Sequence, residues 1–309
     1  MAERFQILAL DGGGYKGMFA AAVLERLEAD LGIDIVDHFD LIAGTSTGGI
    51  IALGLGAGLR PAEIVNFYLE HGATIFPGHM RRPVRRPFAS KYRPAPLQRA
   101  LEEVLGETRL GESRVPLLIP SYDLTNDDVY VFRTPHAPRL RRDHGELMVD
   151  IALATSAAPT YLPAHRLRGL RLIDGGVWAN NPTTVAVVEA LSAFDRRLEE
   201  ISVFSIGTTI ETAHRHPRLD RGGLLSWARE AIEVVLRGQN LAADNAAKLI
   251  LGPERFLRVN PAVPARVLRL DGVDSDQLRG RAEYLSRHIC PAFEKQFARH
   301  KAAPWAPTT

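Results

Sequence analysis

Two glycine-rich loops, each placed between an apolar strand and a helix, constrain the fold of this chain more than any other feature. The apolar run Phe5–Leu10 stops at an Asp-Gly-Gly-Gly sequence, which is typical of a buried strand that enters a tight loop. Residues 18–31 then have the helical spacing of apolar side chains. Residues 39–43 and 44–49 repeat the pattern as a second strand and a second glycine loop, followed by a helix of small residues. This alternation predicts a largely parallel sheet covered by helices.

The remainder of the chain continues the pattern. Further strands are predicted at residues 117–121, 129–133, 170–173 and 201–206, and the first two of these are joined as a hairpin. Further helices are predicted at residues 147–157, 183–192, 224–251 and 274–300. Residues 71–101 contain five prolines and are predicted to form a loop. We therefore expect a three-layer α/β/α fold with a mostly parallel central sheet. A single domain covers residues 1–309, with its core at about 5–210 and a C-terminal helical part at about 211–300.

The composition excludes several classes of protein. The 309 residues are 46% hydrophobic and 24% charged with a net charge of +2, which is typical of a globular protein and does not favour binding to a nucleic-acid polymer. The single cysteine, Cys290, excludes an intramolecular disulfide framework. No stretch has the roughly 20 apolar residues of a membrane-spanning helix, and the N-terminus lacks the layout of a secretory signal. We expect a cytoplasmic protein that acts on any membrane from the water side.

The sequence from Gly44 to Gly48 has the nucleophile-elbow pattern. In this pattern a strand-to-helix turn exposes the central serine, and the flanking glycines allow the cramped backbone. A five-residue pattern of this kind is also common in glycine-rich turns, but its position between a predicted strand and a predicted helix is the context that the chemistry requires. Ser46 is therefore the candidate nucleophile, with Gly44 and Gly48 as the glycines of the elbow.

Residues 11–17, named the glycine loop below, are the second motif. Such a loop also occurs in dinucleotide-binding proteins, but the acidic residues at about the expected distance are not clearly placed at the end of a second strand. A nucleoside triphosphate site is disfavoured because a methionine, and not serine or threonine, follows Lys16-Gly17. Backbone N–H groups at a helix N-terminus suit an anion, here the oxyanion of an acyl transfer. The candidates for this oxyanion hole are Gly12, Gly13 and Gly14, with the positive charge of Lys16 nearby.

Asp174-Gly175-Gly176, at the end of a predicted strand, is the third motif. A carboxylate can take the proton of a serine hydroxyl directly when the two oxygens lie within hydrogen-bond reach, so Asp174 is the candidate base. A Ser-His-Asp triad stays open as an alternative, because His214 and His216 follow the strand at 201–206. Other polar residues that follow these strands either line the site or, as is favoured, form turns or helix caps: Asn180, Asn181, Thr208 and Thr209.

Together, in this order and each at a strand end, the three motifs resemble those of the patatin-like phospholipase family. Residues 12–17 match the family's glycine-rich oxyanion loop, 44–48 its elbow and 174–176 its aspartate motif, and 154–161 are similar to its helix before the aspartate strand. The resemblance covers roughly residues 5–210. It implies the patatin-like α/β/α fold and a Ser46-Asp174 dyad that forms an acyl-serine intermediate, with no metal and no cofactor. Lys16 stands where the family usually has arginine, and lysine lacks the planar two-pronged donor of that residue.

The strongest local charge is in residues 71–101, which carry seven arginines or lysines and no acidic residue. Such a segment is either a solvated surface loop or an element that binds anions or faces a membrane. The candidates for anion or membrane contact are Arg81, Arg82, Arg85 and Arg86.

We therefore expect a lipid acyl hydrolase of phospholipase A type that is peripheral at the phospholipid surface of the inner membrane when active. Residues 5–44 are similar to bacterial patatin-like effectors that cyclic oligonucleotides switch on in anti-phage defence, which implies a cyclic oligonucleotide activator. The alternatives are a soluble carboxylesterase or thioesterase, and a non-catalytic lipid- or nucleotide-binding module.

Overall fold

The computed structural model describes residues 4–75, 90–211, 219–220, 223, 227, 230–263 and 275–307. The strands are β1 (Phe5–Leu10), β2 (Leu41–Gly44), β3 (Leu117–Asp123), β4 (Asp128–Arg133), β5 (His165–Leu167), β6 (Leu170–Asp174), β7 (Ile201–Ile206), β8 (Ile210–Glu211), β9 (Phe256–Val259) and β10 (Ala262–Val263). The helices are α1 (Gly17–Leu31), α2 (Thr47–Gly56), α3 (Pro61–Ile75), α4 (Ala95–Leu105), α5 (Met148–Thr155), α6 (Gly176–Ala179), α7 (Thr183–Ala193), α8 (Glu230–Leu251) and α9 (Ser275–Gln296).

Within these ranges eight strands form one sheet in the order β5-β6-β3-β2-β1-β7-β9, and β4 pairs with the other edge of β3. Five neighbouring strands are parallel to one another: β3, β2, β1, β7 and β9. The strands β4 and β6 are antiparallel to β3. This confirms both the predicted hairpin, formed by β3 and β4, and the mostly parallel central sheet.

Helices cover both faces of the sheet, and β1 shows how the sequence specifies this. Its side chains alternate between two buried clusters, with Leu8 and Leu10 in one, and Ile7 and Ala9 in the other. The first cluster includes side chains of α1, α2 and α9, and the second includes side chains of α7 and α8. The result is the predicted three-layer α/β/α arrangement, with a core on each face of the sheet.

The strands β2 and β6 both pair with the same edge of β3, and this arrangement positions the candidate site. β2 pairs with the first half of β3 at Leu117 and Leu118, and β6 pairs with its second half at Ser121–Asp123. β4 pairs along nearly the whole of β3, so it occupies the opposite edge. Because β2 and β6 run in opposite directions, their carboxyl ends approach each other beside the middle of β3.

Two predictions about the organisation of the chain were wrong in part. Residues 71–75 and 95–101 are helical, because apolar side chains of α3 and α4 pack into the core. The described part of residues 211–300 is not only helical, because β9 extends the central sheet by pairing with β7. The arginines at 81, 82, 85 and 86 and the histidines at 214 and 216 lie outside the described residues. The single domain over 1–309 stays a prediction.

Candidate active site

Ser46 lies in a sharp turn between β2 and α2, as the elbow pattern predicts. Its backbone has φ 55° and ψ −121°, a conformation that is unusual for a residue with a side chain. A Cβ atom on Gly44 would collide with the carbonyl group of Gly48, and one on Gly48 would collide with that of Leu10. The turn therefore requires glycine at both positions of the elbow.

Neighbouring hydroxyl groups hold this turn in place. The N–H of Ser46 donates to Thr155 Oγ1 at 3.0 Å, and Thr45 Oγ1 donates to the carbonyl oxygen of Ala179 at 2.6 Å. Ser46 precedes α2 at the N-cap position, yet its hydroxyl makes no capping bond. The hydroxyl is therefore free to interact with a different group.

That group is the carboxyl of Asp174, the last residue of β6. The Asp174 carboxyl lies close enough to the Ser46 hydroxyl for that hydroxyl to lower the pKa of the carboxyl, and Asp174 Oδ1 accepts the N–H of Gly176 at 2.7 Å. Asp174 is 6% exposed and Ser46 is 8% exposed. Burial raises the pKa of the Asp174 carboxyl to about 6, although the neighbouring Ser46 hydroxyl and the N–H of Gly176 lower it. A carboxylate with this pKa beside a serine hydroxyl is suited to accept the hydroxyl proton near neutral pH.

The glycine loop borders this pair. A Cβ atom on Gly12 would lie 3.2 Å from Ser46 Cβ, so the loop passes directly beside the serine. Gly14 has φ 60°, a left-handed conformation that glycine adopts without strain, and the loop then enters the turn of 3-10 helix formed by Gly14–Lys16. Lys16 lies half-buried at the end of this turn.

The hydrogen bonds of the loop correct the prediction for Gly12. Its N–H donates to the carbonyl oxygen of Asn180 at 2.9 Å and is therefore not available to an oxyanion. Its carbonyl oxygen accepts Thr208 Oγ1 at 3.0 Å and Asn180 Nδ2 at 3.3 Å. In the described part of the chain, no acceptor takes the N–H of Gly13 or Gly14. These two N–H groups are the remaining candidates for an oxyanion hole.

Asn180 and Thr208 are contacts of the glycine loop, so for these two residues the alternative of lining the site holds and not the favoured role in a turn or cap. The assignment is confirmed for Asn181, whose Oδ1 accepts the N–H of Thr183 at the start of α7. The signal for Asn180 lies only in the tertiary structure, because Gly12 and Asn180 are 168 positions apart in sequence.

The other candidates of the sequence analysis are partly outside the described residues. No histidine in the described ranges hydrogen-bonds to Ser46 or Asp174, while His214 and His216 are not described. No group of three or more His, Cys, Asp or Glu residues within those ranges is arranged to hold a metal ion. None of the helices, over the residues described, is both long and apolar enough to span a membrane.

Comparison with known proteins shows similarity to patatin-like phospholipases. A family model described as "Patatin-like phospholipase" matches residues 8–187. A "cGAMP-activated phospholipase" of Pseudomonas aeruginosa is 33% identical over 314 aligned positions, which cover 97% of this chain and 94% of that protein. A protein of the same description from Escherichia coli is 36% identical, over 70% of this chain and 65% of that protein. Among solved structures, VipD from Legionella pneumophila has a similar fold, with a TM-score of 0.52 at 12% identity over 94% of this chain and 67% of VipD.

Proposed function

Because this chain belongs to the patatin-like phospholipase family, we propose that it is a lipid acyl hydrolase of phospholipase A type. Its substrates are the fatty-acyl esters of membrane phospholipids, its nucleophile is Ser46 and its base is Asp174. The observation that carries this proposal is the proximity of the Ser46 hydroxyl to the Asp174 carboxyl in a nearly buried site, with the pKa of the carboxyl raised to about 6.

The reaction takes place in two halves. Asp174 accepts the hydroxyl proton of Ser46 while Oγ attacks the ester carbonyl, and the N–H groups of Gly13 and Gly14 stabilise the oxyanion. The intermediate collapses to an acyl-serine, and the proton held by Asp174 passes to the departing lysophospholipid oxygen. A water molecule then gives a proton to Asp174 and attacks the acyl-serine. The second intermediate releases the fatty acid, and Asp174 returns the proton to Ser46 Oγ, which restores the hydroxyl and the carboxylate. Lys16 adds positive charge beside the loop.

The decisive experiment compares two kinds of substrate. Vesicles of mixed bacterial phospholipids and a chromogenic short-chain ester in solution are incubated with the parent protein and with Ser46→Ala, each in the absence and in the presence of cGAMP, and the lipid products are analysed. Release of fatty acid and lysophospholipid by the parent alone supports the proposal. Hydrolysis of the soluble ester only indicates an esterase or thioesterase. Binding of vesicles without hydrolysis of either substrate indicates a non-catalytic module.

We further propose that a cyclic oligonucleotide activates the enzyme. The Pseudomonas and Escherichia relatives are described as cGAMP-activated, and the low exposure of Ser46 and Asp174 is consistent with a site that opens on activation. The fatty-acid release assay is repeated with cGAMP and with a panel of other cyclic nucleotides. A rate that no cyclic nucleotide changes contradicts this part of the proposal.

We propose that the active enzyme is peripheral at an anionic membrane surface, and that the arginines between 81 and 86 take part in membrane or activator contact. Guanidinium groups bind phosphate oxygens with two parallel hydrogen bonds, which suits lipid head groups as well as a nucleotide. Sedimentation with vesicles of increasing anionic lipid content measures the membrane contact directly. Binding that does not increase with the anionic fraction contradicts it.

A further inference from the structure

A buried ion pair lies at the start of the glycine loop. The Asp11 carboxylate accepts two hydrogen bonds from the Arg258 guanidinium, from Nη1 at 2.9 Å and from Nη2 at 2.5 Å. The Arg258 side chain, on β9, is 9% exposed, and the Asp11 side chain is 2% exposed. Two parallel N–H···O bonds fix both the position and the orientation of the carboxylate.

This ion pair joins three neighbouring strands. Arg258 Nη1 also donates to Ser205 Oγ on β7 at 2.7 Å, and the N–H of Asp11, directly after β1, donates to the carbonyl oxygen of Ile206 at 3.0 Å. Asp11 is the residue immediately before Gly12. The first residue of the glycine loop is therefore held at its backbone by β7 and at its side chain by β9.

Helix α8 contacts the same support. Asn240 Oδ1 accepts Asn180 Nδ2 at 3.1 Å, and Asp244 Oδ1 lies 3.8 Å from Arg258 Nε. Residues four apart on a helix lie on one face, so a single face of α8 reaches both side chains that hold Asp11 and Gly12. Both α8 and β9 lie outside residues 8–187, the part of the chain that matches the family model.

We propose that Arg258 is a positioning residue for catalysis, which acts through Asp11 to hold the N–H groups of Gly13 and Gly14 where the oxyanion forms. The inference rests on the function proposed above. Removing a guanidinium and a carboxylate from water opposes folding, and apolar pairs of similar volume are often as stable as buried ion pairs. The ion pair instead fixes the position of Asp11, which lies two residues before Gly13, the first residue of the loop with an available N–H.

The test uses variants that change geometry and charge separately. Arg258→Lys keeps the positive charge but loses the planar two-pronged donor. The double variant Asp11→Asn with Arg258→Gln removes both charges, so no uncompensated charge is left in the interior. The matched control is Arg133→Lys, because Arg133 forms an ion pair at 2.9 Å with the buried carboxylate of Glu189 and contacts neither Ser46 nor the glycine loop.

The measurements are kcat and KM on a chromogenic short-chain ester, the rate at which a fluorophosphonate labels Ser46, and the melting temperature. A displacement of about 1 Å at a catalytic group lowers the rate about 100-fold, so Arg258→Lys and the double variant are expected to lower kcat by about 10- to 100-fold. KM changes less than about twofold, because the loop acts on the transition state. Labelling of Ser46 slows in parallel, while Arg133→Lys keeps the parent kcat and labelling rate.

Two kinds of failure are distinguishable. A parent protein that hydrolyses no ester and reacts with no fluorophosphonate, both without and with cGAMP, contradicts the proposed function. An active parent whose kcat is retained in Arg258→Lys or in the folded double variant overturns the positioning role, as does a loss that Arg133→Lys reproduces. Arg258→Lys that melts as the control does but turns over slowly supports it.

Discussion

Asp174→Asn is expected to abolish turnover and, at neutral and alkaline pH, to stabilise the fold. Asp174 is 6% exposed, and burial raises the pKa of its carboxyl from 3.8 to about 6. The folded protein binds the proton of the Asp174 carboxyl more tightly than the unfolded chain does. The free energy of unfolding therefore falls as the pH rises from 3.8 to about 6, and it stays lower above that range. Asparagine has a similar shape and no charge, so the variant lacks this loss.

The size of the effect follows from the same pKa. A rise from 3.8 to about 6 corresponds to about 3 kcal/mol in favour of the neutral carboxyl. About half of that loss has already occurred at about pH 5, so the advantage of the variant over the parent grows by about 1.5 kcal/mol between about pH 5 and about pH 8. The amide oxygen of asparagine can still accept the N–H of Gly176, so this hydrogen bond is retained in the variant.

Urea unfolding of the parent and the variant at the two pH values measures this difference. The control is Asp123→Asn, because the pKa of the Asp123 carboxyl lies below its ordinary value. Burial raises this pKa, but the hydrogen bonds from Thr125 and Asn126 together lower it by more. Asp123→Asn is therefore expected to destabilise the protein at about pH 8, which is the opposite sign. A stability difference between Asp174→Asn and parent that is the same at both pH values refutes the raised pKa. Turnover near the parent rate in Asp174→Asn refutes the role as base.

The proposed dyad, the glycine loop and the arginine-rich segment each give a further expected result. Ser46→Ala and Asp174→Ala each lower turnover by several orders of magnitude and the double variant is scarcely worse, because members of one catalytic unit are not additive; His214→Ala or His216→Ala with a comparable loss would indicate a triad. Gly13→Ala, in which a Cβ would collide with the Thr208 side chain, lowers kcat more than it raises KM, by about 3 kcal/mol in transition-state stabilisation; a raised KM at unchanged kcat contradicts this. The last variant replaces four arginines with glutamine: Arg81, Arg82, Arg85 and Arg86. If these arginines contact lipid, the variant loses vesicle binding and keeps its activity on the soluble ester, whereas if they contact the activator, it loses nucleotide stimulation on both substrates. A variant that matches the parent in vesicle binding, basal rate and nucleotide response shows that the segment is a solvated loop.

Local signals in the sequence predict local structure well in this protein. The position of Ser46 in a strand-to-helix turn follows from the two glycines of the elbow, whose Cβ atoms would collide with backbone carbonyl groups. The alternation of apolar side chains along β1 follows from the burial of both faces of the sheet. These features depend on residues within a few positions of one another, so a single sequence is sufficient to predict them.

Features that depend on distant residues were not predictable in this way. The N–H of Gly12 is donated to Asn180, and the carboxylate of Asp11 is paired with Arg258 from a strand that the sequence analysis placed in a helical part. Nothing in the local pattern around Asp11 indicates which of the chain's 38 arginines and lysines is its partner. Contacts between residues so far apart in sequence depend on the order of the strands in the sheet, and the periodicity of apolar residues does not specify that order.

The shared edge of β3 has a consequence for the synthesis of this protein. Ser46 emerges from the ribosome long before Asp174, and the two meet only when β6 has taken its place beside β2. The salt link between Asp11 and Arg258 closes later still, when β9 has been translated. Domains of nascent chains fold as their residues become available, so the proposed catalytic pair is assembled only after β6 has been translated. A chain released before β6 has been made therefore carries the complete elbow but lacks the carboxylate that we propose as its base.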